Sequence, residues 1–269
     1  MSDADEARRV DFREVSPAEA LRANRVDWDR YADDYQLEHG EFLGDVGFVW
    51  SPEGIDEADV RLLGPVMGKR VLEIGCGAAQ CARWLRSQGA DVVGIDLSLR
   101  QLQHSARIDD ATGITVSVAC ASATSLPIAA DSVDIACSAF GAFPFIVDVQ
   151  VAFSEVHRVL RRGGRLVFSG VHPVRRMFPD DPTRSGLRVI RSYFDRTPYV
   201  ESDPAGTTSY VEPHHTLEDW TRAILHAGLT ITDLHEPAWP AGHDRVWGGL
   251  GPVRGALVPG TLIISATKP

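Results

Sequence analysis

Several things are scarce in this chain, and each scarcity excludes something. Its cysteines number four, and none of Cys76, Cys81, Cys120 and Cys137 stands in a C-x-x-C pair. A disulfide framework or zinc knuckle is therefore not expected, and free thiols in a reducing cytoplasm are. No apolar run approaches the ~20 residues that span a bilayer, and the charged stretch Met1–Val15 has no apolar core of the kind export signals carry. Cations are outnumbered, 27 Lys and Arg against 37 Asp and Glu, and no basic run breaks the balance. A net charge of −10 argues against nucleic-acid binding, which depends on clustered Lys and Arg. There is no H-E-x-x-H, and no metal is expected. Internal repeats and low-complexity tracts are absent as well.

What remains, 269 residues of which 44% are hydrophobic, is enough for one large domain with a cap. Residues 1–15 read as loose. Ser16-Pro17-Ala18-Glu19 is a capping box with proline at the first helical position. The helix it starts carries Trp28, Tyr31, Ala32 and Tyr35 on one face, and with a short helix near 55–63 it makes a cap over residues 16–66. Between 67 and 171, apolar strands alternate with helices, which implies a parallel sheet with right-handed crossovers. Residues 172–215 lose any period and read as a lid or substrate insertion. Residues 216–269 supply a helix opened by Thr216-x-x-Asp219 and two last strands.

The most informative stretch is Arg70-Val71-Leu72-Glu73-Ile74-Gly75-Cys76-Gly77-Ala78-Ala79-Gln80. A strand ends, the chain turns through two glycines, and a helix begins. Glycines let backbone approach a ligand, and a helix start offers unpaired N–H groups. The next strand, Val92-Val93-Gly94-Ile95, ends on Asp96, a carboxylate placed to accept from both hydroxyls of a ribose. Dinucleotide sites want a small residue where Gln80 stands, and Glu73 would sit badly beside a pyrophosphate. An ammonium-bearing nucleoside suits Glu73 better.

The E-x-G-x-G pattern with its acidic second strand resembles the class I S-adenosylmethionine-dependent methyltransferases. Ala121-Ser122-Ala123-Thr124-Ser125-Leu126-Pro127, Asp131–Ser138 and Val156–Leu166 resemble later motifs of that family, and the nearest branch is the ubiquinone/menaquinone-biosynthesis methyltransferases. The resemblance implies a Rossmann-like, seven-stranded, mostly parallel sheet with helices on both faces, a cap over the carboxyl edge of the strands, and a final strand pair inserted antiparallel. It implies S-adenosylmethionine as cofactor. Glu73, Gly75, Cys76, Gly77 and Gln80 would line its methionine end. Asp96 would take the ribose, Leu97, Ser122 and Ala123 would flank the adenine, and Ser138 and Ala139 would lie beneath the methionine. Tyr31 and Tyr35 would close over the cofactor, though the same stripe could simply pack on the sheet. Ser122 replaces the acidic residue that the family often places near the adenine.

The acceptor is expected to be a small, partly hydrophobic molecule, since Phe140, Phe143 and Phe145 follow a strand expected at about 133–138, where amino-methylating enzymes carry an Asn/Asp-Pro-Pro-aromatic motif. His172, directly after a strand expected at 165–171, and His215, beside His214 where the irregular segment rejoins the core, are the candidate general bases. Histidine-assisted O-methylation is the first reading and C-methylation of a quinone-like ring the second. A cofactor-binding protein without turnover and a nicotinamide oxidoreductase are the rivals. A homodimer is compatible with everything above.

Overall fold

Hydrophobic periodicity alternates between strand and helix along most of the chain, and a computed structural model, which describes residues 8–269, follows it. In order the elements are β1 (Arg9–Phe12), α1 (Pro17–Leu43), α2 (Glu57–Val60), β2 (Arg70–Ile74), α3 (Gln80–Ser87), β3 (Asp91–Asp96), α4 (Leu99–Thr112) and β4 (Ser117–Cys120). Then come β5 (Val133–Ser138), α5 (Val149–Val159), β6 (Leu160–Val171), β7 (Tyr199–Ser202), β8 (Thr208–Glu212), α6 (Leu217–His226), β9 (Thr230–His235), α7 (Pro252–Gly255) and β10 (Thr261–Thr267).

Seven strands form one sheet in the order β4-β3-β2-β5-β6-β10-β9. Pairs among β2 to β6 are parallel, and β10 enters antiparallel between β6 and β9. The chain leaves β2 in one direction through β3 and β4, then returns to the other side through β5 and β6. That reversal opens a crevice at the carboxyl ends of β2 and β5, where open α/β sheets bind ligands. Successive side chains of a strand point to opposite faces. Leu72 and Ile74 accordingly join one core with Phe143, Phe153, Val156 and Ile224, while Val71 joins the other with Trp50, Leu85 and Val92.

Local chemistry starts the helices where the sequence places them. Ser16 accepts from the Glu19 amide at 3.1 Å, with Pro17 at the first helical position. Ser98 accepts from the Gln101 amide at 3.1 Å. Thr216 and Asp219 cap each other reciprocally. The expected helix at 55–63 shrinks to α2, because Arg61 adopts a left-handed conformation with φ 52°.

Two expectations are corrected. Residues 1–7 lie outside the described residues, but Arg9–Phe12, read as loose, pairs antiparallel with β7. Residues 172–215 are less patternless than the sequence suggests: two short 3-10 turns lead into the β7–β8 hairpin. β1, β7 and β8 make a second, three-stranded sheet, and α1 lies on it through Ala20, Ala23, Val200 and Val211. Strands of four or five residues rich in Thr, Ser, Tyr and Glu carry too little alternation to be seen locally. Among the described residues, no helix is long and apolar enough to cross a membrane.

Candidate active site

The turn after β2 is held by backbone. The amides of Gly75 and Cys76 both donate to the Ile95 carbonyl, at 2.8 and 2.9 Å. Gly75 has φ 71°, and a Cβ there would lie 2.5 Å from the Ala142 nitrogen, so no other residue fits. Gly77, with φ 53°, donates its amide to Asp96 Oδ2 at 2.8 Å. Asp96 Oδ1 accepts from the Ser98 amide at 2.8 Å. The Asp96 carboxylate thus ties the glycine turn to the start of α4. Burial pushes its pKa up, against the pull of the Ser98, Gly77 and Leu97 amides.

Glu73 is 2% exposed, and its Oε2 is buried with no hydrogen-bond partner. Burial pushes its pKa up to about 8; the Asp96 charge adds to this, while the Ala82 amide opposes it. A buried carboxylate with an unused oxygen calls for a cationic partner.

These groups open onto a cleft enclosing about 1100 Å³, counted out to its mouth. Of the residues expected to contact a cofactor, Glu73, Gly75, Cys76, Gly77, Gln80, Asp96, Leu97, Ser122, Ala123 and Ala139 all line it. Two expected residues do not. The Tyr31 hydroxyl turns away to donate to Glu38 Oε2 at 2.7 Å, and Tyr35, one turn further along α1, lines the cleft instead. Ser138 lies buried behind Gly141, its Oγ without a partner. Phe140 and Phe145 reach the cleft, whereas Phe143 stacks on Phe153 at 4.9 Å in the core. Phe140 is held at φ 51° by its amide, which donates to Ser169 Oγ at 2.7 Å.

The cleft also gains residues that the sequence did not single out as site residues: Leu21, Asn24, Trp28, Gln36 and Gln101. Leu21, Asn24, Trp28 and Tyr35 recur at helical spacing, a signal consistent with one face of α1 meeting the site. Among the described residues that line the cleft, Glu73 and Asp96 are the only carboxylic acids, and there is no Lys, Arg or His.

Neither candidate base is among them. His172 Nδ1 accepts from the Val174 amide at 3.2 Å, as the cap of a 3-10 turn. The proton must then sit on Nε2, which faces Glu236 Oε1 at 2.8 Å, and no lone pair is left for a substrate. Burial lowers its pKa, against the Glu236 charge. His215 Nε2 donates to the Ile146 carbonyl at 2.8 Å, with its ring edge-on to Trp220. Its pKa is likewise lowered by burial. His214 meets the Tyr193 carbonyl. Sequence position brings these histidines near the carboxyl edge, but capping and carbonyl bonds aim the rings elsewhere.

Comparison with known proteins agrees with this geometry. A methyltransferase-domain family model matches residues 72–168, from β2 into β6. A demethylmenaquinone methyltransferase of Clavibacter sepedonicus is 30% identical over 203 residues, 69% of this chain and 79% of that protein. Another, of Thermus thermophilus, is 35% identical over 130 residues, 48% of this chain and 56% of that protein. The crystal structure of an S-adenosylmethionine-dependent methyltransferase from Mesorhizobium loti aligns with a TM-score of 0.62 at 27% identity, covering 81% of this chain and all of that one. With its glycine turn after β2, the acidic end of β3 and the antiparallel β10 in place, this chain belongs to the S-adenosylmethionine-dependent methyltransferases.

Proposed function

We propose that the enzyme methylates a small, uncharged, partly hydrophobic acceptor, and that C-methylation of an electron-rich ring is favoured over histidine-assisted O-methylation. One observation carries this reading. Beside the glycine turn, the cleft is lined by Leu21, Trp28, Tyr35, Phe140 and Phe145 with Asn24 and Gln36, and this lining offers neither a cation nor a basic nitrogen. An acceptor bearing a carboxylate or phosphate would be buried without a counter-charge. An acceptor needing its proton removed first would find no histidine. A ring carbon made nucleophilic by its own oxygen substituent attacks without prior deprotonation, and its ring proton is shed to solvent after the methyl has moved and the sulfonium has become the neutral thioether. The names of the Clavibacter and Thermus relatives point the same way.

The residues present fit the cofactor. Glu73 offers a buried carboxylate oxygen with no partner, and Gly75 leaves a space that any Cβ would fill. S-adenosylmethionine, when bound, supplies a methyl group already activated by a sulfonium cation. Glu73 would hold the ammonium. Asp96 would accept from the ribose hydroxyls on the lone pairs not used by Gly77 and Ser98. Leu97, Ser122 and Ala123 would flank the adenine. Tyr35, rather than Tyr31, would close the site from α1. The apolar wall excludes water and orients the acceptor, the main work left to the protein when the methyl is already activated. The segment 172–215, with β1, acts as a brace beneath α1 more than as a free flap. Four unpaired cysteines suit a reducing cytoplasm. O-methylation of an acidic enol or phenol is the second reading, since such a hydroxyl ionises unaided.

Incubation with trideuteromethyl-labelled cofactor and a panel of acceptors tests this. The panel holds 1,4-naphthoquinol, a catechol, a free dicarboxylate and a malonyl thioester. Label on the quinol carbon, located by NMR, supports the reading, and label on the catechol oxygen supports the second. Label confined to the carboxylate or thioester overturns both.

A further inference from the structure

α1 crosses the mouth of the cleft in two unlike halves. Its first turns are anchored. Ala20 and Ala23 pack on Val200 and Val211. Asn24, 2% exposed, donates to the carbonyls of Val211 and Phe145 at 2.9 and 3.2 Å and accepts the Val211 amide at 2.8 Å. Lifting this half would strand buried backbone groups.

The following turns face α4 and α3 with a row of polar side chains at helical spacing, with Ala32 buried between them in the sequence. Asp29 Oδ1 accepts from Ser98 Oγ at 2.8 Å and from the Arg100 amide at 3.0 Å. Asp33 pairs with Arg100 at 2.8 and 2.9 Å and with His104 at 2.6 Å. Gln36, innermost of the three, donates Nε2–H to Gln101 Oε1 at 2.9 Å and accepts from Gln80 Nε2 at 2.9 Å. Gln36, Gln80 and Gln101 all line the cleft, beside Gly77 and Asp96. Bonds of this kind exchange for water at small net cost, and exposed ion pairs such as Asp33–Arg100 add little. A polar seam can part where an apolar one would not.

We propose that Gln36 is a positioning residue for the cofactor. Its amide, strung between Gln80 on α3 and Gln101 on α4, holds α1 shut over the Gly77–Asp96 side of the cleft and sets the rate at which the spent cofactor leaves. The inference rests on the cofactor occupying this cleft. On its other flank α1 keeps His39 stacked on Trp247 at 3.7 Å, which anchors that side of the helix while the side facing α3 and α4 opens.

Stopped-flow binding of S-adenosylhomocysteine to the full chain tests it. Gln36→Met keeps the side chain's length and loses both bonds. Dissociation should speed up by about tenfold, as two net hydrogen bonds imply, with the association rate unchanged and the Tm lowered by only about 3–6 °C. Gln36→Glu, which accepts from both flanking amides once Gln101 turns over, should restore slow release. Unchanged dissociation in Gln36→Met overturns the latch, and so does a larger drop in Tm with both rates altered, which marks a merely structural residue. Glu73→Gln separates the two readings. If it leaves equilibrium affinity untouched at pH 8.5, the cleft is not the site. If it weakens affinity while Gln36→Met releases normally, only the latch fails.

Discussion

Replacing Glu73 by glutamine keeps shape and removes one charge from the least solvated carboxylate of the cleft. In the ligand-free enzyme Glu73 titrates at about 8, against an ordinary 4.5, because burial disfavours its ionised form. The native state therefore holds a proton that the unfolded chain releases. The stability this gives is fully present below pH 4.5 and is lost as the pH rises through about 8, at about 1.4 kcal/mol per pH unit between the two values. The glutamine variant has no such slope, so its Tm should match wild type near pH 5 and exceed it at pH 8.5. Binding should show the opposite preference. An ammonium group favours the ionised carboxylate, so S-adenosylhomocysteine should displace the proton. Wild-type affinity should rise with pH up to about 8 and then level off. At pH 8.5 the charged hydrogen bond is fully expressed, and Glu73→Gln should cost about 1.5–3 kcal/mol, or roughly 10–100-fold in Kd. At pH 6.5 about 2 kcal/mol of that is spent removing the proton, so the variant should bind within a few-fold of wild type. Calorimetry in buffers of different ionisation enthalpy would read the proton release directly. Equal affinity at pH 8.5, or a pH slope surviving in the variant, would refute the placement of the ammonium against Glu73.

Three further outcomes are expected. Asp96→Asn should weaken S-adenosylhomocysteine by about 1–3 kcal/mol in titration calorimetry, since it removes charge and one of the acceptors that serve Gly77 and Ser98; wild-type affinity would end its ribose role. Gly75→Ala should lower thermal stability by roughly 2 kcal/mol or more, because the methyl meets the Ala142 backbone 2.5 Å away at φ 71°; an unchanged Tm would show that the 139–142 loop yields freely. His172→Gln and His215→Gln should leave initial methylation rates within a few-fold of wild type once an acceptor is in hand, and a loss of kcat of about 100-fold or more, the contribution of a general base, would restore the histidine mechanism.

Much of the cofactor half was legible in the sequence. Val71, Leu72 and Ile74 had to form a strand, Gly75 and Gly77 a turn, and Ser98 a cap for the next helix, because each signal acts on backbone within a few residues. Asp96 followed from its place at a strand end. Repeated strand–helix alternation also made the sheet parallel, since βαβ crossovers have one hand, while the strand order came only with the structure. The cover of the site was not legible. β1 finds β7 across most of the chain's length, and neither strand is long enough to announce itself. Tyr31 and Tyr35 share one stripe, and only packing turned the first toward Glu38 and the second into the cleft. His172 and His215 stand near the carboxyl edge, yet an amide and a carbonyl took their nitrogens. Sequence by itself determined where backbone bends, caps and alternates, because those are short-range steric and hydrogen-bonding choices. Only the tertiary structure decided which side chains face the cleft, because that direction depends on partners far away in the chain.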